Sequence, residues 1–199
     1  MRRKKTDKGG SETLWTAFLE GDDQAFAQLY ELNVDSMLYY GLHFTSMQDV
    51  VKDAIQDVFV LLYSSRNRGS LKPVENVKVY LYVALKNRLF AIFHKDMHYF
   101  HIDNIEPVFS MERSVEEKYI DEEQETARKQ YIRQMLHSLS PRQREVVYYR
   151  FTEGMSYEEI CIIMKMNYQS VRNLTHRSIL KIRETYQEFD LIRYNTNRD

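Results

Sequence analysis

Gln169, Ser170, Arg172, Asn173, His176 and Arg177 crowd into one short stretch of an otherwise near-neutral chain. Guanidinium groups pair with phosphate oxygens, while amides, hydroxyls and imidazoles hydrogen-bond to base edges. This set therefore suits recognition of duplex nucleic acid, not bond-making. The apolar positions around it set its orientation. Val171, Leu174, Ser178 and Ile182 recur at three, four and four residues. That is one buried face of a helix, and it leaves the polar set facing outward or sideways.

Three helix starts follow one another between Ser140 and Glu184. Ser140-Pro141-Arg142-Gln143 supplies a cap, a proline at the first helical position and a glutamine three residues on. Ser156-Tyr157-Glu158-Glu159 is a second capping box. Asn167 caps the third and most basic helix, which carries Arg172, Arg177, Lys181 and Arg183. Ile160, Ile163 and Met164 point inward on the preceding helix, with small Cys161 at the crossing. Two short helices joined by a tight turn make a helix-turn-helix, whose second helix enters the DNA major groove. The competing reading is a solvated basic helix on a bundle. Caps, turn length and charge placement agree on the former. Lys165 stands at the turn, where glycine is common, and is expected to tolerate positive φ.

Composition sets the frame. The chain has 199 residues, 28 Lys and Arg against 29 Asp and Glu, and a formal net charge of −1. The charge is segregated. Residues 131–183 hold nine Lys/Arg and four Asp/Glu, whereas residues 101–130 hold four Lys/Arg and nine Asp/Glu. A basic working surface and an acidic connector follow. The single cysteine permits no internal disulfide, which fits a reducing compartment. No apolar run approaches the roughly 20 residues of a membrane span. The basic start MRRKKTDKGG lacks the apolar stretch of a secretory signal. Glycine and proline are scarce and helical periodicity runs almost throughout, so an all-α, cytoplasmic protein of two small helical domains is expected.

The expected organisation is a disordered basic tail (1–12), a first domain (13–100), a flexible acidic linker (101–123), a second domain (124–187) and a frayed tail (188–199). In the first domain, a helix from Glu12 to Leu19 buries Leu14, Trp15, Phe18 and Leu19. Gly21-Asp22-Asp23 breaks it and caps the next, whose stripe is Ala25, Phe26, Leu29, Tyr30, Leu32 and Val34. A separate helix is expected from Met37 to Phe44. A helix from Met47 to Tyr63 turns Val51, Ala54, Ile55, Val58, Phe59 and Leu62 inward and keeps Asp53, Gln56 and Asp57 outside. A polar loop, Ser64 to Asn76, precedes an aromatic helix from Val77 to about His98. Aromatics among cations suit single-stranded nucleic acid, where bases stack on rings. For Tyr80, Asn87, Arg88 and the loop, that reading and an ordinary core reading stay open.

Other chemistry has little support. Asp53 and Asp57 sit one turn apart, but no His, metal ligand or glycine loop accompanies them as a catalytic pair would require. His94, His98 and His101 share a helical spacing that could hold zinc, but a basic-aromatic helix end near DNA, or simple exposed residues, is the reading preferred. Cys161 reads as a packing residue before a redox sensor. No catalytic residue, metal site or cofactor is expected.

Both halves resemble a bacterial sigma factor of the extracytoplasmic-function group, in the sigma-70 family. DDQAFAQLYELNVDSMLYYGLHFT, DAIQDVFVLLY and VKVYLYVALKNRLFAIFHK look like sigma region 2, and LSPRQREVVYYRFTEGMSYEEI with VRNLTHRSILKIR looks like region 4. VRNLTHRS is similar to the Bacteroidetes versions. The resemblance implies that Asp53, Gln56, Asp57 and Phe59 dock on core RNA polymerase. It implies that Arg66, Asn67, Arg68, Tyr80, Lys86, Asn87 and Arg88 open and read the minus-ten element as a melted non-template strand. Asn167, Gln169, Ser170, Arg172, Asn173, His176 and Arg177 would read the minus-35 element as duplex. It further implies a regulating anti-sigma factor, of the membrane-anchored kind frequent in the family, and no small-molecule substrate. Leu174 and Thr175 depart from the arginine and leucine common in the family. The rival readings are a decoy that sequesters an anti-sigma factor and a helix-turn-helix repressor.

Overall fold

A computed structural model describes residues 8–100, 108–111 and 125–196. The chain divides into two compact units, Met1–Pro107 and Val108–Asp199. Among the described residues every regular element is helical.

Unit 1 contains α1 (Lys8–Leu19), α2 (Asp23–Gly41), α3 (Gln48–Asn67) and α4 (Val77–Phe100). Helix α1 starts inside the segment expected as a tail, whose residues 1–7 lie outside the described ones. Asp22 caps α2 as expected, its carboxylate accepting from the Gln24 and Ala25 N–H groups at 2.8 and 3.1 Å. The break expected before Met37 does not occur, and one helix runs from Asp23 to Gly41. The polar residues before Met37 are satisfied within the helix. Asn33 Nδ2 donates to the Leu29 carbonyl at 2.8 Å and Ser36 Oγ to the Asn33 carbonyl at 2.9 Å. Bonds of this kind let such residues remain mid-helix.

Gly41 lies against Val51 of α3. A Cβ there would overlap the Val51 Cγ1, so only glycine admits this approach. All six positions expected inward on α3 are buried: Val51, Ala54, Ile55, Val58, Phe59 and Leu62. The core continues through Trp15, Phe18, Leu29, Met37, Leu81, Leu85 and Leu89, and Tyr40 stacks on Tyr82 with ring centroids 4.1 Å apart. Tyr30 and Leu32, expected in the α2 stripe, are exposed. Helix α3 runs four residues beyond Tyr63, shortening the expected loop. It ends where Gly69 takes φ 63 and Ser70 N–H reaches back to the Ser65 carbonyl at 3.0 Å. This is the left-handed closure that releases a chain from a helix. Asn76 Oδ1 then accepts from Val79 N–H at 3.1 Å and starts α4.

Unit 2 contains α5 (Glu125–Ser138), α6 (Pro141–Val147), a π-helical turn (Tyr148–Thr152), α7 (Tyr157–Met164) and α8 (Tyr168–Thr196). The widened turn allows an unbroken buried run from Glu145 to Tyr149. The tyrosine hydroxyls are satisfied locally, Tyr149 donating to Glu145 at 2.8 Å and Tyr148 to Glu153 at 2.6 Å. Helix α8 continues to Thr196, into the tail expected to fray.

The expected linker is part of this core at one place. Phe109 is 2 % exposed and Met111 7 %. The Phe109 ring lies 5.4 Å from that of Tyr148 and 6.3 Å from that of Tyr149, and its carbonyl accepts from Arg144 Nη1 at 3.3 Å. Residues 108–111 therefore belong to unit 2, and the apolar pair Phe109 and Met111 outweighs the surrounding acid in placing them there. The rest of residues 101–123 lies outside the described residues.

Candidate nucleic-acid interface

The three caps of unit 2 form as the residue types require. Ser140 accepts from Gln143 N–H while the Gln143 side chain accepts from Ser140 N–H, and Ser156 and Glu159 repeat the arrangement. Asn167 Oδ1 accepts from Ser170 N–H at 2.8 Å. Between α7 and α8, Lys165 has φ 52, the left-handed conformation that the turn demands. An L side chain there costs about 1–2 kcal/mol. Lys165→Gly should raise the stability of unit 2 by about 1 kcal/mol. Thermal unfolding of the two proteins checks this, and a lower melting temperature for the variant would contradict it.

Helix α8 presents two faces. Val171, Leu174, Thr175 and Ser178 are buried, and Thr175 and Ser178 donate to the carbonyls of Val171 and Leu174 at 2.9 and 2.7 Å. Leu174 and Thr175, the departures from the family pattern, thus face the core. Thr175 escaped the periodic reading because a hydroxyl that bonds back to its own helix can be buried like an apolar residue. On the other face, Gln169, Arg172, Asn173, His176 and Arg177 are exposed and Ser170 is half-buried. Asn167, Ser170, Arg172 and their neighbours are gathered at the start of α8, where a recognition helix meets base edges. Arg150 lies over the Tyr157 ring at 4.9 Å, and Tyr157 meets Tyr168 edge-on, fixing α7 against the start of α8. Burial, then the Glu158 carboxylate, push the Cys161 thiol up, which disfavours the thiolate a redox sensor would use.

In unit 1 the residues expected at polymerase and minus-ten DNA sort differently. Asp53 and Gln56 are exposed on α3. Phe59 is 5 % exposed and packs edge-on against Phe26 and Tyr30. It borders a groove of about 730 Å³ between α2 and α3, with Tyr30, Gln56 and Val60. Arg66 is also turned inward, its side chain 11 % exposed. It pairs with Asp23 at 2.9 Å and lies 4.9 and 4.4 Å from the Phe18 and Tyr63 ring centres. Arg66 therefore ties α3 to α1 and α2, because its long stem can cover rings while its head finds a carboxylate. Asn67, on the same turn, accepts from Arg66.

A second groove, about 670 Å³, runs between α3 and α4 and gathers Arg68, Tyr80, Asn87, Arg88, Asp57, Val60 and Leu61. Tyr80 meets Trp15 edge-on at 5.2 Å, and burial pushes its hydroxyl up, keeping it a neutral phenol. Trp15 Nε1 donates to the Lys72 carbonyl at 3.2 Å, which ties the loop before α4 to α1. Lys86 lies over Phe44 and Phe90 at 5.8 and 5.7 Å. Asp57 and Arg88, expected to meet different partners, pair with each other at 2.6 Å. No periodicity could signal that pairing, because it joins two helices 31 residues apart in sequence. No three-residue cluster of His, Cys, Asp or Glu fit for a metal occurs among the described residues. His101, of the three histidines weighed for zinc, lies outside them, as does the His98 side chain.

Residues 129–182 match the family described as Sigma-70, region 4. Over these residues the second unit is similar to sigma-70 region 4. The match spans most of α5 through α8, the caps and the exposed basic face, and it bears out the sigma-70 resemblance carried by SPRQREVVYYRF and VRNLTHRSILKIR. No curated protein matches the sequence. Solved structures extend the likeness of fold beyond the region 4 domain. CnrH, solved in complex with the cytosolic domain of CnrY, has a TM-score of 0.58 at 17 % identity, covering 90 % of this chain and 98 % of that one. The sigma factor RpoE from Bartonella quintana, solved with the anti-sigma factor NepR, has a TM-score of 0.56 at 19 % identity, covering 81 % of this chain and 96 % of that one. The all-helical fold is thus shared with CnrH and with the sigma factor RpoE. No helix among the described residues is long and apolar enough to cross a membrane.

Proposed function

We propose that this chain is an extracytoplasmic-function sigma factor that directs core RNA polymerase to a set of promoters and is regulated by an anti-sigma factor. The observation that carries the reading is the region 4 helix-turn-helix with its reading face exposed. The two solved relatives support regulation, one being a sigma factor bound to an anti-sigma factor. The protein acts by binding and not by catalysis, and it works in the cytoplasm, where polymerase and promoters are.

The roles divide between the units. Asp53 and Gln56 on α3 contact core RNA polymerase, with Asp57 at the edge of that surface. Arg68, Asn87, Arg88 and Tyr80, around the α3–α4 groove, meet the melted minus-ten strand, where a ring and cations together suit bases and phosphates. Arg66 and Phe59 hold unit 1 together behind these surfaces. The start of α8 reads the minus-35 duplex. The anti-sigma partner is membrane-anchored and covers these surfaces when the factor is silent.

The test mixes purified protein with core RNA polymerase and a pool of genomic promoter fragments, and maps transcript starts. Starts that depend on the protein and share two upstream motifs about two helical turns apart are the expected result. Polymerase binding without new starts would favour the decoy. Absence of polymerase binding would leave a helix-turn-helix repressor.

A further inference from the structure

Gln169 and Asn173 lie one turn apart on the exposed face of α8, and Gln169 Nε2 donates to Asn173 Oδ1 at 3.0 Å. Arg177 Nε reaches the Asn173 carbonyl at 3.4 Å and continues the same face. Both amides lie in the first turns of the helix, where side chains reach base edges.

A side-chain amide carries one oxygen and two N–H groups. A free glutamine can rotate and offer either end to a base. Here one N–H of Gln169 is committed to Asn173. That leaves Oε1 and the second N–H side by side, an acceptor and a donor in fixed order. Only one base matches that pair in the major groove. Adenine offers the N6 amino donor beside the N7 acceptor. Guanine offers two acceptors, and its O6 would face the Gln169 oxygen. We infer that Gln169, held by Asn173, reads one adenine in the duplex element bound by α8. Gln169 is the specificity-determining residue and Asn173 its positioning residue. Arg172 and Arg177 supply phosphate contacts that carry no base preference. The inference rests on the reading of α8 as a recognition helix and adds the base that it selects.

The experiment selects bound duplexes from a randomised pool, using the full chain with and without core RNA polymerase. The wild type should enrich one adenine that Gln169→Ala no longer selects and Asn173→Ala selects less sharply, other positions being unchanged. At that adenine, 7-deazaadenine removes only the N7 acceptor. It should weaken wild-type binding about 5- to 100-fold, and leave binding by Gln169→Ala unaltered. Gln169→Glu turns the donor edge into acceptors and should move the selected base towards cytosine, whose N4 group donates. A misfolded variant cannot produce that switch. An enriched motif that keeps its adenine in Gln169→Ala, or that loses a guanine or pyrimidine instead, overturns the inference and leaves the recognition helix standing. A wild type that enriches no sequence in either condition overturns both.

Discussion

Replacing both Arg172 and Arg177 with alanine should cut the dependence of log K on log salt by about 1.8, or about 0.9 for each phosphate that is no longer neutralised. Both side chains are exposed on the face of α8 opposite Val171, Leu174 and Ser178, so their removal leaves the packing of unit 2 intact. The weakening is uniform across sequences, because guanidinium–phosphate pairs position a protein without reading bases. Binding at low salt should fall by about 10-fold or more, and the two curves should converge as salt rises. Titration of a promoter duplex at several salt concentrations measures this. Equal slopes for variant and wild type would remove α8 from the phosphate backbone. Unchanged promoter-dependent transcription would do the same.

The second large effect is structural. Phe109→Ala should destabilise unit 2 by about 3–5 kcal/mol, the range for emptying a buried aromatic site. Phe109 is 2 % exposed, lies against Tyr148 and Tyr149, and its carbonyl accepts from Arg144. A small domain has about 5–15 kcal/mol of stability in total, so the variant forfeits a large share. Hydrogen exchange should show reduced protection across α6, α7 and the start of α8. The single tryptophan, Trp15, lies in the core of unit 1 and reports on that unit. Its fluorescence transition in denaturant should not move. Full protection in the variant would mean that residues 108–111 merely rest on unit 2.

These two cases mark where the sequence could be read and where it could not. The exposed polar face of α8 was legible because one rule decided it. A three-four-four spacing names the buried side, and the remaining polar residues must then face out. The capping boxes at Ser140 and Ser156 and the strained turn at Lys165 were legible for the same reason, since each depends on residues within one turn. The six buried positions of α3 followed from the same periodicity. Phe109 was hidden by its neighbours. An acidic stretch without period reads as linker, and whether one phenylalanine finds a slot depends on Tyr148 and Tyr149, tens of residues away. The surroundings of Arg66 were hidden for a related reason. Asp23 and Phe18, from other helices, and Tyr63 on its own helix hold its side chain. The separate helix expected from Met37 is absent because Asn33 and Ser36 bond to the preceding turn and the helix continues past them.

The Asp57–Arg88 pair couples what α3 and α4 can do separately. Each side chain is 46 % exposed, so the pair itself is worth no more than about 1 kcal/mol. That small energy is nonetheless a linkage. A cationic group that takes Asp57 leaves Arg88 without its counter-charge, and so strengthens the hold of Arg88 on an anion. Reciprocity requires that an anion on Arg88 make Asp57 more available to the cation by the same factor, at most about fivefold. One ion pair thus makes the two surfaces of unit 1 mutually reinforcing, with no moving part larger than a side chain.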